Sequence, residues 1–224
     1  MNRSAVSFMA ACREPVVQQE GSCVARAWSR YRRRTPCDRQ EFEAMLCLHC
    51  APTFAGLKAA SLVSFKKSQY EDFDALLASY EPCFQCSGLK AFRLTDGTDF
   101  TLVLFYRPDA LLRALQAPGA AKLLSAFGYA ADDADQALDL LAARMHLQKS
   151  FPHEIGIFLG YPPSDVEGFI EHRGKNFSSS GYWKVYGDVQ AAEETFRLYA
   201  DCIEDYSARL RAGATLSMLL MRAA

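Results

Sequence analysis

Residues 151–159 read FPHEIGIFL, and the run closes on Gly160-Tyr161-Pro162-Pro163. A short, dense apolar stretch bounded by turn residues reads as a buried β-strand. Ser164 with Glu167 three residues on is a capping-box pattern, opening a helix to about His172. Residues 181–187, GYWKVYG, read as a second strand, with Trp183 and Val185 facing the core and Tyr182, Lys184 and Tyr186 on the other face. Asp188 then caps a long helix. Its apolar positions Val189, Ala192, Phe196, Tyr199, Ile203, Tyr206 and Leu210 alternate spacings of three and four, which makes one continuous stripe. Strand–helix–strand–helix at these lengths implies right-handed crossovers and a sheet that is at least partly parallel.

Upstream, Asp38 with Glu41 starts a helix whose Phe42, Met45, Leu46 and His49 share a face, and Pro52 breaks the pattern. Residues 61–65 read as a short strand, and a helix follows through Phe73, Leu76, Leu77 and Tyr80. Residues 89–95 and 100–106 form a hairpin through Asp96-Gly97, which makes the sheet mixed. Helices follow Pro108 and Pro118, and a longer one begins near Asp133. The fold class is therefore α/β: residues 37–224 form a single domain with a mixed, partly parallel sheet flanked by helices. Residues 1–36 lack periodicity and carry Arg26, Trp28, Arg30, Tyr31, Arg32, Arg33 and Arg34. Basic residues interleaved with aromatics can bind nucleic acid, but a flexible, solvated extension is the plainer reading because the remaining chain is compensatingly acidic.

A chain of 224 residues buries enough surface to hold a core without staples. Its net charge of −1 gives no global pull toward nucleic acid or anionic lipid. No apolar run approaches the roughly 18 residues of a membrane span, and the interrupted start MNRSAVSFMAACREP is weak as a secretory signal. The expected location is cytoplasmic, with no membrane partner. The eight cysteines then read as thiols, metal ligands or redox groups rather than as a disulfide framework.

Three stretches carry a family resemblance: HCAPTFAGLK at 49–58, FPHEIGIFLGYPPSDVEGF at 151–169 and GYWKVYGD at 181–188. They resemble an uncharacterised family of prokaryotic proteins, found largely in anaerobes and known only as a domain of unknown function. The similarity runs from about residue 40 to 212 and takes in Tyr106-Arg107-Pro108 and Cys202. It implies no activity. Members often carry a cysteine just before the third stretch, where this chain has Ser178-Ser179-Ser180, and Cys47, Cys83 and Cys86 are outside the pattern.

The candidate residues follow from chemistry. Cys47-Leu-His-Cys50 and Cys83-Phe-Gln-Cys86 are two C-x2-C pairs, which as four thiolates would hold zinc or an iron–sulfur cluster. The gap of 32 residues between them is longer than zinc ribbons use, so free or buried thiols are the plain alternative. Cys50 beside His49 also reads as a reactive thiol. If the first helix ends at Cys50, its dipole disfavours thiolate; if Pro52 opens a new helix, the thiol pKa drops. On a regular strand His153 and Glu154 point to opposite faces, and a buried Glu154 needs a partner or ligand. The carboxyl ends of strands in open α/β sheets select Arg107, Gly160, Tyr161 and Asp188, with Arg107 as a fixed cation for a carboxylate or phosphate. Lys58, Lys175 and Lys184 add positive charge.

These residues lead to three expectations: a protein that binds, and can transform, a small polar or anionic molecule; a cysteine/histidine metal- or cofactor-binding protein with no cofactor specified; or an interaction module acting through its basic tail. The first requires Cys50, Arg107, Glu154 and Tyr161 to open into one pocket.

Overall fold

The structure, a computed structural model, describes residues 39–147 and 151–221; the basic stretch 26–34, Asp38 and the rest of the extension 1–36 lie outside them. Helix α1 (Arg39–Phe54) comes first and buries Phe42, Leu46, Cys47, Cys50 and Phe54. Pro52 does not end it. A proline removes only its own N–H, and the next turn still closes, with the Ala55 amide on the Ala51 carbonyl. Strand β1 (Ala60–Lys66) follows, then α2 (Phe73–Ala78), capped by the Asp72 carboxylate, which ends two residues before the expected Tyr80, and a further short helix, α3 (Glu81–Cys86).

Strands β2 (Lys90–Asp96) and β3 (Phe100–Tyr106) form the expected hairpin, and β3 inserts between β1 and β2. Both pairings are antiparallel. The sheet is thus not partly parallel, because neither 151–159 nor 181–187 joins it. Its alternation sorts the core. Val63, Phe65, Val103 and Phe105 face a cluster with Phe42 and Leu46 of α1, Phe73 of α2 and Phe84 of α3. Ala60, Leu104 and Tyr106 face the other cluster, built from α4 (Pro108–Gln116), α5 (Pro118–Ser125) and α6 (Ala134–Leu147).

Residues 151–159 enter this second cluster as a turn followed by one helical turn, α7 (Ile155–Phe158). All four α7 residues are buried, and a continuous apolar run does not distinguish a buried strand from a helix buried on every side. Gly156 permits the packing: a Cβ there would lie 2.7 Å from Val166 Cγ2. Helix α8 (Pro163–Glu171) starts one residue before the expected cap Ser164, on the N-terminal proline that first turns tolerate. Residues 181–187 give only β5 (Lys184–Val185), paired with β4 (Ser179–Ser180). Trp183 and Val185 are buried as read, but the neighbouring amides of Tyr186 and Gly187 bond to the Asp165 carboxylate instead of a ladder.

Helix α9 (Val189–Arg211) runs as expected from its Asp188 cap, with Ala192 and Tyr199 in one cluster and Tyr206 in the other. It spans both core layers. Helix α10 (Leu216–Met221) closes the first cluster, tied to α1 by the Leu216 amide on Glu43. Among the described residues no helix is long and apolar enough to cross a membrane.

Candidate functional site

Between α1, β1, the α7–α8 turn and α9 lies a half-open cavity of about 160 Å³. Helix α1 supplies His49 and Pro52 to it, the following turn Lys58, and β1 its residues 61 to 64. The α7–α8 turn adds Leu159 and Tyr161, the β4–β5 turn Tyr182, and α9 Tyr199. The Lys58 ammonium sits 5.3 Å from the Tyr161 ring centroid, a cation–π distance, and that ring stacks on Trp183 at 5.0 Å. Tyr182 meets Tyr199 edge to face at 5.3 Å. Burial pushes the phenols of Tyr182 and Tyr199 up to about 12, so both keep their protons at neutral pH. Among the described residues none that lines it is an aspartate or glutamate, so this wall carries the Lys58 charge and hydroxyl donors.

The family model described as a protein of unknown function, DUF3793, matches residues 46–220. The chain belongs to the DUF3793 family. No curated protein and no solved structure matches it. The match takes in all three stretches that carried the resemblance, and in this DUF3793 protein each of them lends a residue to the cavity: His49 and Lys58 from the first, Tyr161 from the second, Tyr182 from the third.

The other candidates go elsewhere. Cys50 is fully buried, and burial raises its pKa far above the ordinary thiol range, against the weaker pull of Lys58. Cys47 is likewise pushed up to about 12, first by burial and then by Glu43. Cys50 is thus closed off in the core, where burial opposes the thiolate that a reactive thiol needs. His49, expected on the core face, is exposed; the buried face runs through Glu43, Cys47 and Cys50 instead. A labelling experiment follows. Native protein treated with iodoacetamide at pH 8 should modify exposed Cys86 while Cys47 and Cys50 react only after denaturation, as peptide mass mapping would show.

The two C-x2-C pairs do not assemble. Cys83 sits 3.0 Å from the Ser217 hydroxyl, and among the described residues no three His, Cys, Asp or Glu side chains gather to hold a metal. Metal ligation by Cys47, Cys50, Cys83 and Cys86 is therefore not supported by the geometry.

Arg107 is not a free cation at a strand end. Its Nε donates to the Thr53 carbonyl at 3.0 Å, Nη1 to Ser87 at 3.1 Å and Nη2 to Phe54. Glu154, nearly inaccessible, accepts from Arg144 Nε at 2.8 Å and from the Tyr129 hydroxyl at 3.0 Å; it holds α7 to α6. His153 packs edge-on against Phe169 at 5.0 Å, and burial lowers its pKa, partly opposed by Glu154. Lys184 donates to the Gly174 carbonyl at 2.7 Å between Phe169 and Phe177, and Asp188 caps α9. Lys175 is exposed and gives its carbonyl to Tyr186. The rule that chose Arg107 and Asp188 applies to parallel sheets, and this sheet is antiparallel.

Sequence reasoning missed Asp165 and Tyr199 as determinants, whereas Tyr182 lies on the face of 181–187 that could line a pocket. Asp165 is buried, which is costly for a carboxylate without donors, and nothing local in the sequence marks that burial.

Proposed function

We propose that this DUF3793 protein binds a small anionic molecule in the cavity beside Lys58. One observation carries the reading: three stretches far apart in the chain each deliver a polar residue to one recess whose wall, among the described residues, bears the Lys58 cation and no carboxylate. A recess of about 160 Å³ suits a group of roughly six non-hydrogen atoms, since an apolar cavity of about 150 Å³ holds one benzene. Lys58 supplies the charge, and Tyr161, Tyr182 and Tyr199 supply the aromatic walls. The proposal stops at binding, because the thiol expected to perform chemistry is sealed in the core. The described cysteines are all free, which supports a reducing, cytoplasmic setting.

Thermal melting in the presence of acetate, phosphate and small dicarboxylates tests this. The Tm should rise with concentration for at least one anion, and Lys58→Met should weaken that anion at least about tenfold, the loss of one charge-assisted contact. Lys175→Met, which removes an exposed charge outside the cavity, should leave the response unchanged. Equal responses in the wild type and Lys58→Met would refute the site.

A further inference from the structure

Among the described residues the strand that floors the cavity is the edge of its sheet: β1 pairs with β3 on one side only. The phase of its hydrogen bonds is readable. The Arg107 amide donates to Ala59 and the Lys67 amide to Asp99, and these pairs continue the β1–β3 register at both ends. Bonded pairs therefore fall on the odd-numbered positions, and the amides and carbonyls of Leu62 and Ser64 point away from β3. Both residues line the cavity, and among the described residues no main-chain partner meets them.

An unpaired edge is a template for another strand, and proteins normally blunt it. The opposite edge is blunted: β2 carries a register shift between Arg93 and Thr95, and Arg93 is paired with Asp74 and Asp96. The centre of β1 has neither bulge nor charge. It has a recess instead.

We infer that the cavity takes the end of an extended peptide, which adds to β1 as a fourth strand through the main chain of Leu62 and Ser64. A strand antiparallel to β1 ends where β1 begins, and Lys58 stands two residues before Ala60. The incoming chain would therefore bring its C-terminal carboxylate to the Lys58 ammonium, so the anion of the proposed function becomes a peptide terminus. Main-chain bonds give affinity in this mode, and the recess among Tyr161, Tyr182 and Tyr199 selects one side chain. The inference rests on the cavity being an anion site.

The test uses the full chain and a displayed pool of hexapeptides with randomised side chains and free C-termini. Enriched peptides are resynthesised and measured by fluorescence polarisation. N-methylation of the alternate amides in one phase should lower affinity at least about tenfold, while the other phase is tolerated, because only one set of N–H groups faces the edge. Ser64→Pro should abolish binding, since an outward N–H on an edge strand is one the fold can lose. The Leu62 and Ser64 amides should exchange more slowly with peptide bound. An empty pool, or binding indifferent to methylation in both phases, overturns the inference. If acetate still raises the Tm in a Lys58-dependent way in that case, the anion site stands without it; if Lys58→Met changes neither response, both fall.

Discussion

Replacing Asp165 with alanine is expected to destabilise the protein by about 3–5 kcal/mol, measured by urea unfolding at neutral pH. Asp165 is buried at the start of α8, and its carboxylate accepts three bonds. Oδ2 takes the Trp183 indole N–H at 2.7 Å, while Oδ1 takes the amides of Tyr186 and Gly187 at 2.8 and 2.7 Å. Truncation leaves the buried indole N–H and two part-buried amides without their acceptor, and an unsatisfied buried group costs more than an ordinary bond contributes. Asn is the informative intermediate. Its amide oxygen can still serve the two backbone donors, but its NH2 would face the indole N–H, so Asp165→Asn should recover about half the loss. The anion response should fall with stability, because the residues Asp165 anchors flank Tyr182 and the Trp183–Tyr161 stack. A loss below about 1 kcal/mol for Asp165→Ala would show that water replaces the carboxylate and that the residue is not the anchor.

The elements legible in the sequence were those with a local signal. Asp96-Gly97 specified the hairpin, the stripe from Val189 to Leu210 specified α9, and β1 and the helices after Pro108 and Pro118 stand where periodicity and proline placed them. The errors share a physical origin. Residues 151–159 and 181–187 are dense in apolar side chains because they are surrounded, and burial on all sides erases the periodicity that separates strand from helix. Their conformations are set by tertiary partners, Val166 against Gly156 and Asp165 against the amides after Val185. If both are strands, a partly parallel sheet follows, and with it the rule that promotes Arg107 and Asp188. The part of the site legible in the sequence is His49, Lys58 and Tyr161: the first two lie in one family stretch, and Tyr161 is reached by the strand-end rule although 151–159 is not a strand. Tyr199 was not legible, since a tyrosine in a helical stripe reads as core, and it is core that also borders a recess.

Arg107→Ala should be comparably costly, about 3–5 kcal/mol, while leaving anion affinity in the folded protein unchanged. The guanidinium reaches carbonyls at the ends of two helices: Thr53, which also accepts the Gly56 amide, and Phe54 of α1, and Ser87, the C-cap of α3. Gly56 and Gly88, both with positive φ, follow those helices, and a Cβ on either would come within 3.8 Å of the guanidinium. A cation is favoured there, because both helices present the negative ends of their dipoles to it. Arg107 thus ties the C-termini of α1 and α3 to the end of β3, and its N–H groups are engaged by the fold rather than by a ligand. Lysine keeps the charge but not the fork, so Arg107→Lys should restore only a minor part of the stability. The two variants separate fold from function in one experiment: urea midpoints should drop for both, while the ratio of anion affinities to wild type, measured calorimetrically where each is folded, should stay near one. An Arg107→Ala protein that keeps its urea midpoint but loses the anion would return the cation role to Arg107 and remove it from Lys58.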